Sequence, residues 1–319
     1  MVVNMIAAKL VLLTMQQDPK IIVIAGGTGL IGTRLSEILK KTGYEIKILT
    51  RNEDLSNDSR YVNWKPKQNQ LDYTAIENCH AIINLAGAGI ADQKWTSEYK
   101  KIVISSRVDS NNTLASAMEK MTNKPIYISA SAIGYYGYHS GESAFEEDDQ
   151  PGQGDFLQEV SNAWERASSA AGEHASRHAT VRIGIVLAKE GGALQEMLRG
   201  FHLGIGSYFS PGDQIYSWID LDDLCGIFMH LLENDQLKGI YNGVAPNPVS
   251  AKKLAGTIAN KKYGRSLLMP VPKFASNLIL GEQQQMLTGS CAVSSQKIQE
   301  AGFRFIYRKI EKSIDHLIE

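Results

Sequence analysis

The sequence predicts an α/β protein built on a doubly wound parallel sheet, and two observations support this fold class. Strand-like apolar runs alternate with amphipathic, helix-like segments from Lys20 onwards, which is the pattern of consecutive βαβ units. The apolar run Ile21–Ala25 also passes directly into a glycine-rich turn, GGTGLIG at 26–32, and a helical pattern follows that turn. A strand, a tight turn and a helix in this order are expected at the start of such a sheet.

Each element is predicted from the period of its apolar residues and from the residues that bound it. Strands are expected at 21–25, 45–50, 61–64, 81–87, 125–130 and 180–187, and helices at 30–41, 97–120 and 156–171. After residue 191 the pattern is less regular, with helices expected at 194–201, 224–233 and 250–261, a strand at 239–245 and a mostly helical tail. Asp222 and Asp223 are expected to cap the helix at 224–233.

The 319-residue chain is long enough for a large α/β domain and a smaller lobe. We divide it into an N-terminal extension at 1–19, a main domain at 20–190, whose sheet has room for a later strand, and a C-terminal α/β lobe at 191–319. Open α/β sheets bind ligands at the carboxyl ends of their strands. We therefore expect the lobe to cover that edge and to form the substrate side of a cleft.

The N-terminal extension contains an apolar run that is interrupted by Asn4 and Lys9. It begins without a basic cluster and has no convincing cleavage site, so we do not expect a secretory signal. The run is also too short to span a bilayer, which argues against a membrane anchor.

Composition excludes several classes of partner. The chain is 43% hydrophobic and 21% charged, with a net charge of -1, so no basic field would attract nucleic acid or an anionic membrane. Its three cysteines lie far apart without a CxxC pair, which is typical of a reducing, cytoplasmic location. His174 and His178 lack a third ligand and are expected on a polar surface, so no metal site is predicted.

The glycine-rich turn predicts a dinucleotide site. Gly26 and Gly29 would let the backbone turn sharply and approach a pyrophosphate, while Gly32 would let the helix pack closely on the strand. The helix N-terminus would then hold the phosphates with its free amide groups. The predicted cofactor-binding residues of this turn are Gly26, Thr28, Gly29, Leu30, Ile31 and Gly32.

The end of the second strand favours NADP(H) over NAD(H). An acidic residue there would bind the ribose hydroxyls of NAD and repel a 2′-phosphate, but this chain has Thr50-Arg51-Asn52. Arg51 offers a charged fork that suits a phosphate, and Asn52 adds a donor. The alternative is that Arg51 is a surface residue that pairs with Glu53 or Asp54.

Five motifs in order carry a family resemblance: GGTGLIG, INLAG at 83–87, SASAIGYYG at 129–137, SWIDLDDL at 217–224 and YNGVAPNPVS at 241–250. Together they resemble the extended short-chain dehydrogenase/reductase superfamily, the NAD-dependent epimerase/dehydratase family. More closely, the chain resembles its atypical epimerase-family branch, the SulA/YfcH-like proteins with a small C-terminal domain of unknown function. The resemblance covers residues 20–319 and implies a Rossmann-type fold, a nicotinamide cofactor and a C-terminal substrate lobe, without naming a substrate.

The resemblance also implies further cofactor contacts. Leu85, Ala86 and Gly87 match the segment that lies along the cofactor in this superfamily. Arg107 stands where extended members commonly carry Asn, so it would face the cofactor or the sheet edge, although Asp109 could hold it in a local pair.

Ser129 and Ser131 match the strand-end serine, and either one would face the nicotinamide or only form a hydrogen bond at the strand end. We assign Ser129 to the cofactor and Ser131 to catalysis.

The catalytic pair departs from the family pattern. Extended members use Tyr-x-x-x-Lys on the helix after the fifth strand, but the register set by Trp164 and Glu165 places Phe156 and Val160 at these positions. No Tyr-x-x-x-Lys occurs between residues 130 and 180. Tyr135 is a candidate substitute, although a phenol with no lysine beside it donates a hydrogen bond more readily than it accepts a proton.

Two functions therefore remain open. The chain is an NADP-dependent oxidoreductase or nucleotide-sugar epimerase with an altered catalytic pair, or it is a non-catalytic NADPH-binding sensor. In either case the partner would be an unidentified small molecule. By analogy with the superfamily, a homodimer would form through the helices at 97–120 and 156–171.

Overall fold

The computed structural model describes residues 19–55, 57–138, 143–152, 154–201, 205–264, 267–272, 274–275 and 281–318. The predicted extension at 1–18 lies outside the described residues. The fold class is confirmed, because a large and mostly parallel sheet carries helices on both faces.

Eight strands form the central sheet. In chain order they are β1 (Ile21–Ala25), β2 (Glu45–Thr50), β3 (Tyr61–Lys65), β4 (Gln70–Leu71), β5 (Ala81–Asn84), β6 (Ile126–Ala132), β7 (Arg177–Ile183) and, much later in the chain, β12 (Gly239–Gly243). Their spatial order is β12-β7-β6-β5-β1-β2-β3-β4, and all neighbours are parallel except β3 and β4. The order reverses direction between β1 and β5, which is where sheets of this kind bind nucleotides.

The remaining described strands are short and lie beside or within the lobe. They are β8 (Ile185–Leu187), β9 (Ile205–Phe209), β10 (Ile215–Tyr216), β11 (Trp218–Asp220), β13 (Val249–Ser250) and β14 (Leu267–Val271). The α-helices of the described residues are α1 (Leu30–Lys41), α2 (Ser97–Lys120), α3 (Phe156–Gly172), α4 (Gly192–Arg199), α5 (Leu221–Glu233), α6 (Ala251–Tyr263), α7 (Gln285–Thr288), α8 (Gln296–Glu300) and α9 (Ile310–Leu317).

Strand β1 shows why the chain forms this sheet. Its residues from Ile22 to Ala25 are all buried, as expected for a strand that is covered on both faces. Ile22 and Ile24 pack in the core formed with α1 and α5, whereas Val23 and Ala25 pack in the core formed with α2. The alternation of side chains along the strand therefore anchors a helical layer on each side.

The predicted strand at 180–187 is interrupted at Gly184. Strand β7 ends at Ile183, and β8 leaves the central sheet to pair with β11. A Cβ atom at Gly184 would lie 2.5 Å from the carbonyl oxygen of Ser217, so only glycine lets the two chain segments cross this closely.

The start of α5 differs from the prediction. The helix begins at Leu221, three residues early, and Asp220 is its N-cap, since its carboxylate accepts a hydrogen bond from the amide of Asp222. Asp222 and Asp223 therefore lie in the first turn and do not cap the helix. Their carboxylates bind other parts of the chain, the guanidinium of Arg34 and the amides of residues 306–307 respectively.

The C-terminal lobe has its own apolar core, formed mainly by α6, α9 and the neighbouring strands. The central sheet also takes β12 from this half of the chain. Helices α2 and α3 lie side by side on one face of the sheet, and a homodimer through them stays a prediction. Among the described helices none is both long and apolar enough to cross a membrane.

Candidate functional site

The glycine-rich turn lies at the carboxyl end of β1 and has the form that a pyrophosphate requires. Gly26 has a φ of +79°, and a Cβ atom there would lie 2.8 Å from the carbonyl of Leu85. A Cβ atom at Gly32 would lie 2.3 Å from the carbonyl oxygen of Gly26. Both positions need glycine because the backbone of the turn is packed against its neighbours.

The N-terminus of α1 is open to a ligand. Gly29 is the N-cap residue and supplies no side-chain cap, and the first turn contains no acidic residue. The first amide groups of a helix have no partner within the helix, so those of Leu30 and Ile31 are available to an anion. Thr28 and Gly29 are exposed beside them. These residues fit the phosphates of a dinucleotide.

Arg51 and Asn52 follow β2 and are both exposed. The alternative pairing of Arg51 is not seen, because within the described ranges Glu53 pairs with Lys65 at 2.8 Å and Arg51 forms no ion pair. The side-chain oxygen of Asn52 accepts a hydrogen bond from the amide of Asp54 at 3.0 Å. The guanidinium of Arg51 therefore remains available at the edge where an adenosine ribose would lie.

The turn after β5 is oriented by a residue that we did not single out in the sequence. Asn84 is fully buried, and its side-chain oxygen accepts a hydrogen bond from the amide of Ala86 at 3.1 Å. This bond holds the backbone of Leu85, Ala86 and Gly87 beside the glycine-rich turn. The three residues are partly buried or exposed and border the region where the cofactor is expected.

Arg107 connects this turn with a separate cavity. Its Nη1 donates hydrogen bonds to the carbonyl oxygens of Ala88 at 3.0 Å and Val103 at 2.9 Å. A Cβ atom at Gly87 would lie 3.0 Å from the guanidinium carbon. In the described part of the chain Asp109 makes no ion pair with Arg107, so the local pair considered from the sequence is not formed.

The cavity has a volume of about 210 Å³ and lies at the carboxyl ends of β6 and β7, beneath the C-terminal lobe. Its walls are mostly apolar and come from the end of β6, one face of α3, the segment around Gly184 and residues 286–291. The polar groups on the walls include Arg107, Ser161, Tyr138 and Asp155. The carboxylate of Asp155 caps α3 and accepts a hydrogen bond from the amide of Gln158. A small, mainly apolar ligand suits these walls.

Of the two positions that the sequence-based register gives on α3, Val160 lines the cavity and Phe156 does not. Leu157 and Ser161, four residues apart, both line the cavity, whereas Phe156 packs against Trp95 with ring centroids 4.9 Å apart. Ser161 donates its hydroxyl hydrogen to the carbonyl of Leu157 at 2.9 Å.

The structure does not bring the two predicted serines to this cavity. Ser129 is fully buried, with its hydroxyl against those of Ser168 and Thr180. Ser131 is 1% exposed and donates to Glu165 at 2.7 Å. Both side chains point to the same face of β6, and the next residue, Ala132, lines the cavity instead.

Tyr135 also contributes to packing and does not line the cavity. The guanidinium carbon of Arg182 lies 3.5 Å from the centroid of its ring, which is the geometry of a cation–π contact. Tyr138, three residues further on, lines the cavity.

A buried polar cluster around Arg182 lies beside the cavity. Arg182 is 1% exposed and binds both carboxylate oxygens of Glu165, at 2.8 and 2.9 Å. It also donates to the hydroxyl of Tyr136 at 2.8 Å and to the carbonyl of Glu147 at 3.0 Å. Burial lowers the pKa of Arg182, but the bonds to Glu165 outweigh this effect and raise it above its usual value. Sequence reasoning missed this cluster, because nothing local pairs residues that are 17 positions apart.

A second cavity of about 580 Å³ lies beside the glycine-rich turn, between the start of α1, the loop after β8 and α9. Asp220, Asp222 and His316 meet on its wall closely enough to share an ion. The carboxylate of Asp222 is bound by Arg34 at 2.6 and 3.0 Å, and that of Asp220 by Ser313 at 2.6 Å. Both acids therefore already have protein partners.

His178 was expected on a polar surface, and the structure corrects this. Its Nε2 lies 3.0 Å from the hydroxyl of Ser168 and 3.1 Å from that of Thr180, and its ring stacks on Tyr127. Burial lowers the pKa of His178 to about 4. The imidazole is therefore neutral at pH 7 and belongs to the interior.

The parallel sheet, the glycine-rich turn at its reversal point and the cleft under the lobe define a Rossmann-type nicotinamide nucleotide-binding protein. The family model described as the NAD dependent epimerase/dehydratase family matches residues 22–242, and a domain of unknown function, DUF1731, matches residues 271–317. The chain belongs to the NAD dependent epimerase/dehydratase family.

Individual relatives extend over nearly the whole chain. It is 31% identical to the epimerase family protein SDR39U1 of Bos taurus, over 93% of this chain and 99% of the relative. It is 33% identical to an epimerase family protein of Staphylococcus aureus, over 92% and 98% of the two chains. The crystal structure of human epimerase family protein SDR39U1 with NADPH superposes with a TM-score of 0.83 at 27% identity, covering 93% of this chain and 99% of the human one.

Proposed function

We propose that this protein binds NADP(H) and exchanges hydride with a small, mainly apolar substrate in the cavity beneath the lobe. The observation that carries the proposal is the position of Arg107, which contacts the turn at Gly87 and Ala88 on one side and lines the cavity on the other. The expected path of the cofactor and the cavity are thus neighbours.

Two observations support NADP(H) over NAD(H). Arg51 is exposed at the end of β2 without a carboxylate partner in the described ranges. Its guanidinium can therefore donate two hydrogen bonds to a 2′-phosphate. The human relative of similar fold was solved with NADPH.

The residues of this chain would divide the chemistry as follows. The amides at the start of α1 hold the pyrophosphate, and the apolar cavity walls exclude water from the reacting groups. The cofactor supplies the hydride when it is bound. On α3 neither Phe156 and Val160 nor Leu157 and Ser161 offer the tyrosine and lysine of the family pattern, so none of these side chains relays a proton. The missing pair favours an oxidoreductase with altered acid–base chemistry over a nucleotide-sugar epimerase, which must deprotonate a sugar hydroxyl.

The second candidate function is a non-catalytic sensor of NADPH. It is favoured by the same replacement, together with Ala132 at the strand-end position that lines the cavity. A sensor would bind the cofactor equally well and would show no turnover with any substrate.

Titration of the protein with NADPH and NADH by fluorescence tests the cofactor. We expect tighter binding of NADPH, and we expect Arg51→Ala to remove about 1–3 kcal/mol of that preference, since a charged hydrogen-bonded partner is lost. Arg60→Ala is the matched control, because Arg60 is exposed but paired with Asp58 at 2.6 Å. Equal affinities for the two cofactors in the unmutated protein would refute the NADP(H) assignment.

The same protein preparation tests turnover through the loss of NADPH absorbance. We expect negligible oxidation with simple aldehydes, simple ketones and nucleotide sugars, because the cavity supplies no tyrosine–lysine pair. Oxidation confined to compounds with their own acidic group would support the oxidoreductase. Complete inactivity with such compounds as well would favour the sensor.

A further inference from the structure

Arg107 is a buried cation without a counter-charge. The residue is 9% exposed, and within the described ranges no Asp or Glu lies at ion-pair distance from it. Its two hydrogen bonds, both from Nη1, go to neutral backbone carbonyls. Burial lowers the pKa of Arg107 to about 10, which leaves the guanidinium charged at pH 7. A buried charge with no partner is unfavourable, and proteins retain one where a ligand supplies the opposite charge.

Two hydrogen-bond donors at this place lack acceptors. Arg107 Nε and Trp164 Nε1 are both buried and have no partner among the described residues. The guanidinium carbon of Arg107 lies 4.7 Å from the ring centroid of Trp164, so the indole face stabilises the cation only partly. Both side chains line the cavity. Buried donors in native proteins are nearly always satisfied, so a pair that is not points to a missing acceptor.

The other walls of the cavity indicate the chemical character of the rest of the ligand. Ala132, Leu157, Val160 and Ile185 present apolar side chains to the cavity, and a volume of about 210 Å³ is small for a ligand site. Such a space suits a short hydrocarbon body with an anionic group at one end. A carboxylate matches a guanidinium in charge and in the spacing of its two oxygens.

We propose that the cavity binds a small organic acid, with Arg107 as the residue that pairs with its carboxylate. This proposal rests on the proposed function, because it names the substrate class of the same site. It also explains why the cavity needs no tyrosine–lysine pair to hold its ligand: the substrate is oriented through its own charge. Arg107 is thus a specificity-determining residue.

The phosphates of the cofactor are the other source of an anion. The residues of the glycine-rich turn, where the pyrophosphate is expected, do not line this cavity. The two sources also differ in what they predict. If Arg107 pairs with a substrate carboxylate, its loss weakens binding of the acid and leaves the NADPH affinity nearly unchanged.

Hexanoate is a suitable probe for the carboxylate site. Hexanamide is the control compound, because it has a similar size and shape but no charge. Isothermal titration of each compound is performed with the full chain, with and without saturating NADPH. We expect one hexanoate site per chain and binding that is about 10- to 100-fold tighter than that of hexanamide, the range for a charge-assisted hydrogen-bonded pair. Arg107→Met should remove this difference, while Arg107→Lys should retain part of it.

Arg166→Met is the control variant, since Arg166 is an exposed arginine of α3 and does not line the cavity. It should bind hexanoate like the unmutated protein. Equal binding of hexanoate and hexanamide by the unmutated protein would overturn the proposal, even if Arg107→Met failed to fold. A roughly tenfold loss of NADPH affinity in Arg107→Met, with hexanoate binding unchanged, would instead make Arg107 a cofactor contact. Failure of the unmutated protein to bind NADPH would refute the proposed function, while the titration without NADPH would still decide the carboxylate site.

Discussion

Two buried arginines, Arg107 and Arg182, have opposite surroundings. Arg182 is held by both oxygens of Glu165, by Tyr136 and by a backbone carbonyl. Arg107 has two backbone carbonyls and an indole face but no carboxylate in the part of the chain that the structure describes. Accordingly, the pKa of Arg182 is raised and that of Arg107 is lowered to about 10.

The contrast distinguishes a buried charge that stabilises the fold, at Arg182, from one that we propose binds a ligand, at Arg107. A buried ion pair whose hydrogen bonds are complete holds its neighbours in one arrangement, and its loss is costly. A buried cation with an unused donor beside a cavity is compensated only when a ligand arrives. The two arginines are similar in their exposed fraction, but they differ in their hydrogen-bond partners.

The largest expected effect is on stability. Arg182→Met should lower the free energy of unfolding by about 3–5 kcal/mol, because it leaves the carboxylate of Glu165 buried without its partner. Arg107→Met should stay within about 1 kcal/mol of the unmutated protein or be more stable, because it removes an uncompensated charge and keeps an apolar stem. Urea unfolding followed by circular dichroism measures both. Equal losses in the two variants would contradict the distinction between Arg182 and Arg107.

A smaller effect is expected from Ser131→Ala. The substitution removes the hydrogen bond to the carboxylate of Glu165 and should cost about 1.5–3 kcal/mol of stability. The NADPH affinity should stay within about twofold of the unmutated value, since Ser131 does not reach the cavity.

Ser161→Ala is the variant to compare with Ser131→Ala, because Ser161 lines the cavity. Its hydroxyl bonds only to a carbonyl of its own helix among the described residues, so the stability change should be under about 1 kcal/mol. If Ser131→Ala instead weakened NADPH binding about tenfold and left stability intact, Ser131 would be the strand-end serine that faces the nicotinamide, one of the two alternatives that the sequence leaves open.

A further effect concerns pH. The pKa of His178 is lowered from 6.5 to about 4 by burial, so the unfolded chain binds a proton between these values and the folded chain does not. Stability is therefore fully present above pH 6.5 and is lost as the pH falls towards 4. Between pH 7 and pH 5 this residue should account for about 2 kcal/mol of the loss.

The variant His178→Gln removes the titration and isolates this contribution. Its free energy of unfolding should decline less steeply between pH 7 and pH 5 than that of the unmutated protein. Parallel pH curves for the two proteins would show that the ring is solvated and would contradict its assignment to the interior.

The sequence by itself determined the order and bounds of most elements. Helices at 30–41 and 97–120 and the strand at 45–50 form as predicted, because apolar period, glycine stops and caps act over a few residues. The glycine-rich turn could be predicted for the same reason, because the positive φ of Gly26 and a contact close in the sequence at Gly32 require glycine.

The tertiary structure alone decided which side chains reach the cavity. Successive residues of a strand face opposite sides, so a shift of one position exchanges Ser131 for Ala132. One residue along a helix turns the side chain by about 100°, which places Leu157 and not Phe156 on the cavity wall. No local sequence pattern predicts the orientation of a side chain to within one residue position.

The pairing of buried charges also required the assembled fold. Glu165 and Arg182 meet only because α3 packs on the sheet beside β7. Among the described residues no carboxylate lies at ion-pair distance from Arg107. That absence depends on every element packed around Arg107, and no stretch of sequence displays it. Local chemistry thus predicted the cofactor side of the proposed site, while the proposed substrate side depends on contacts between residues far apart in the chain.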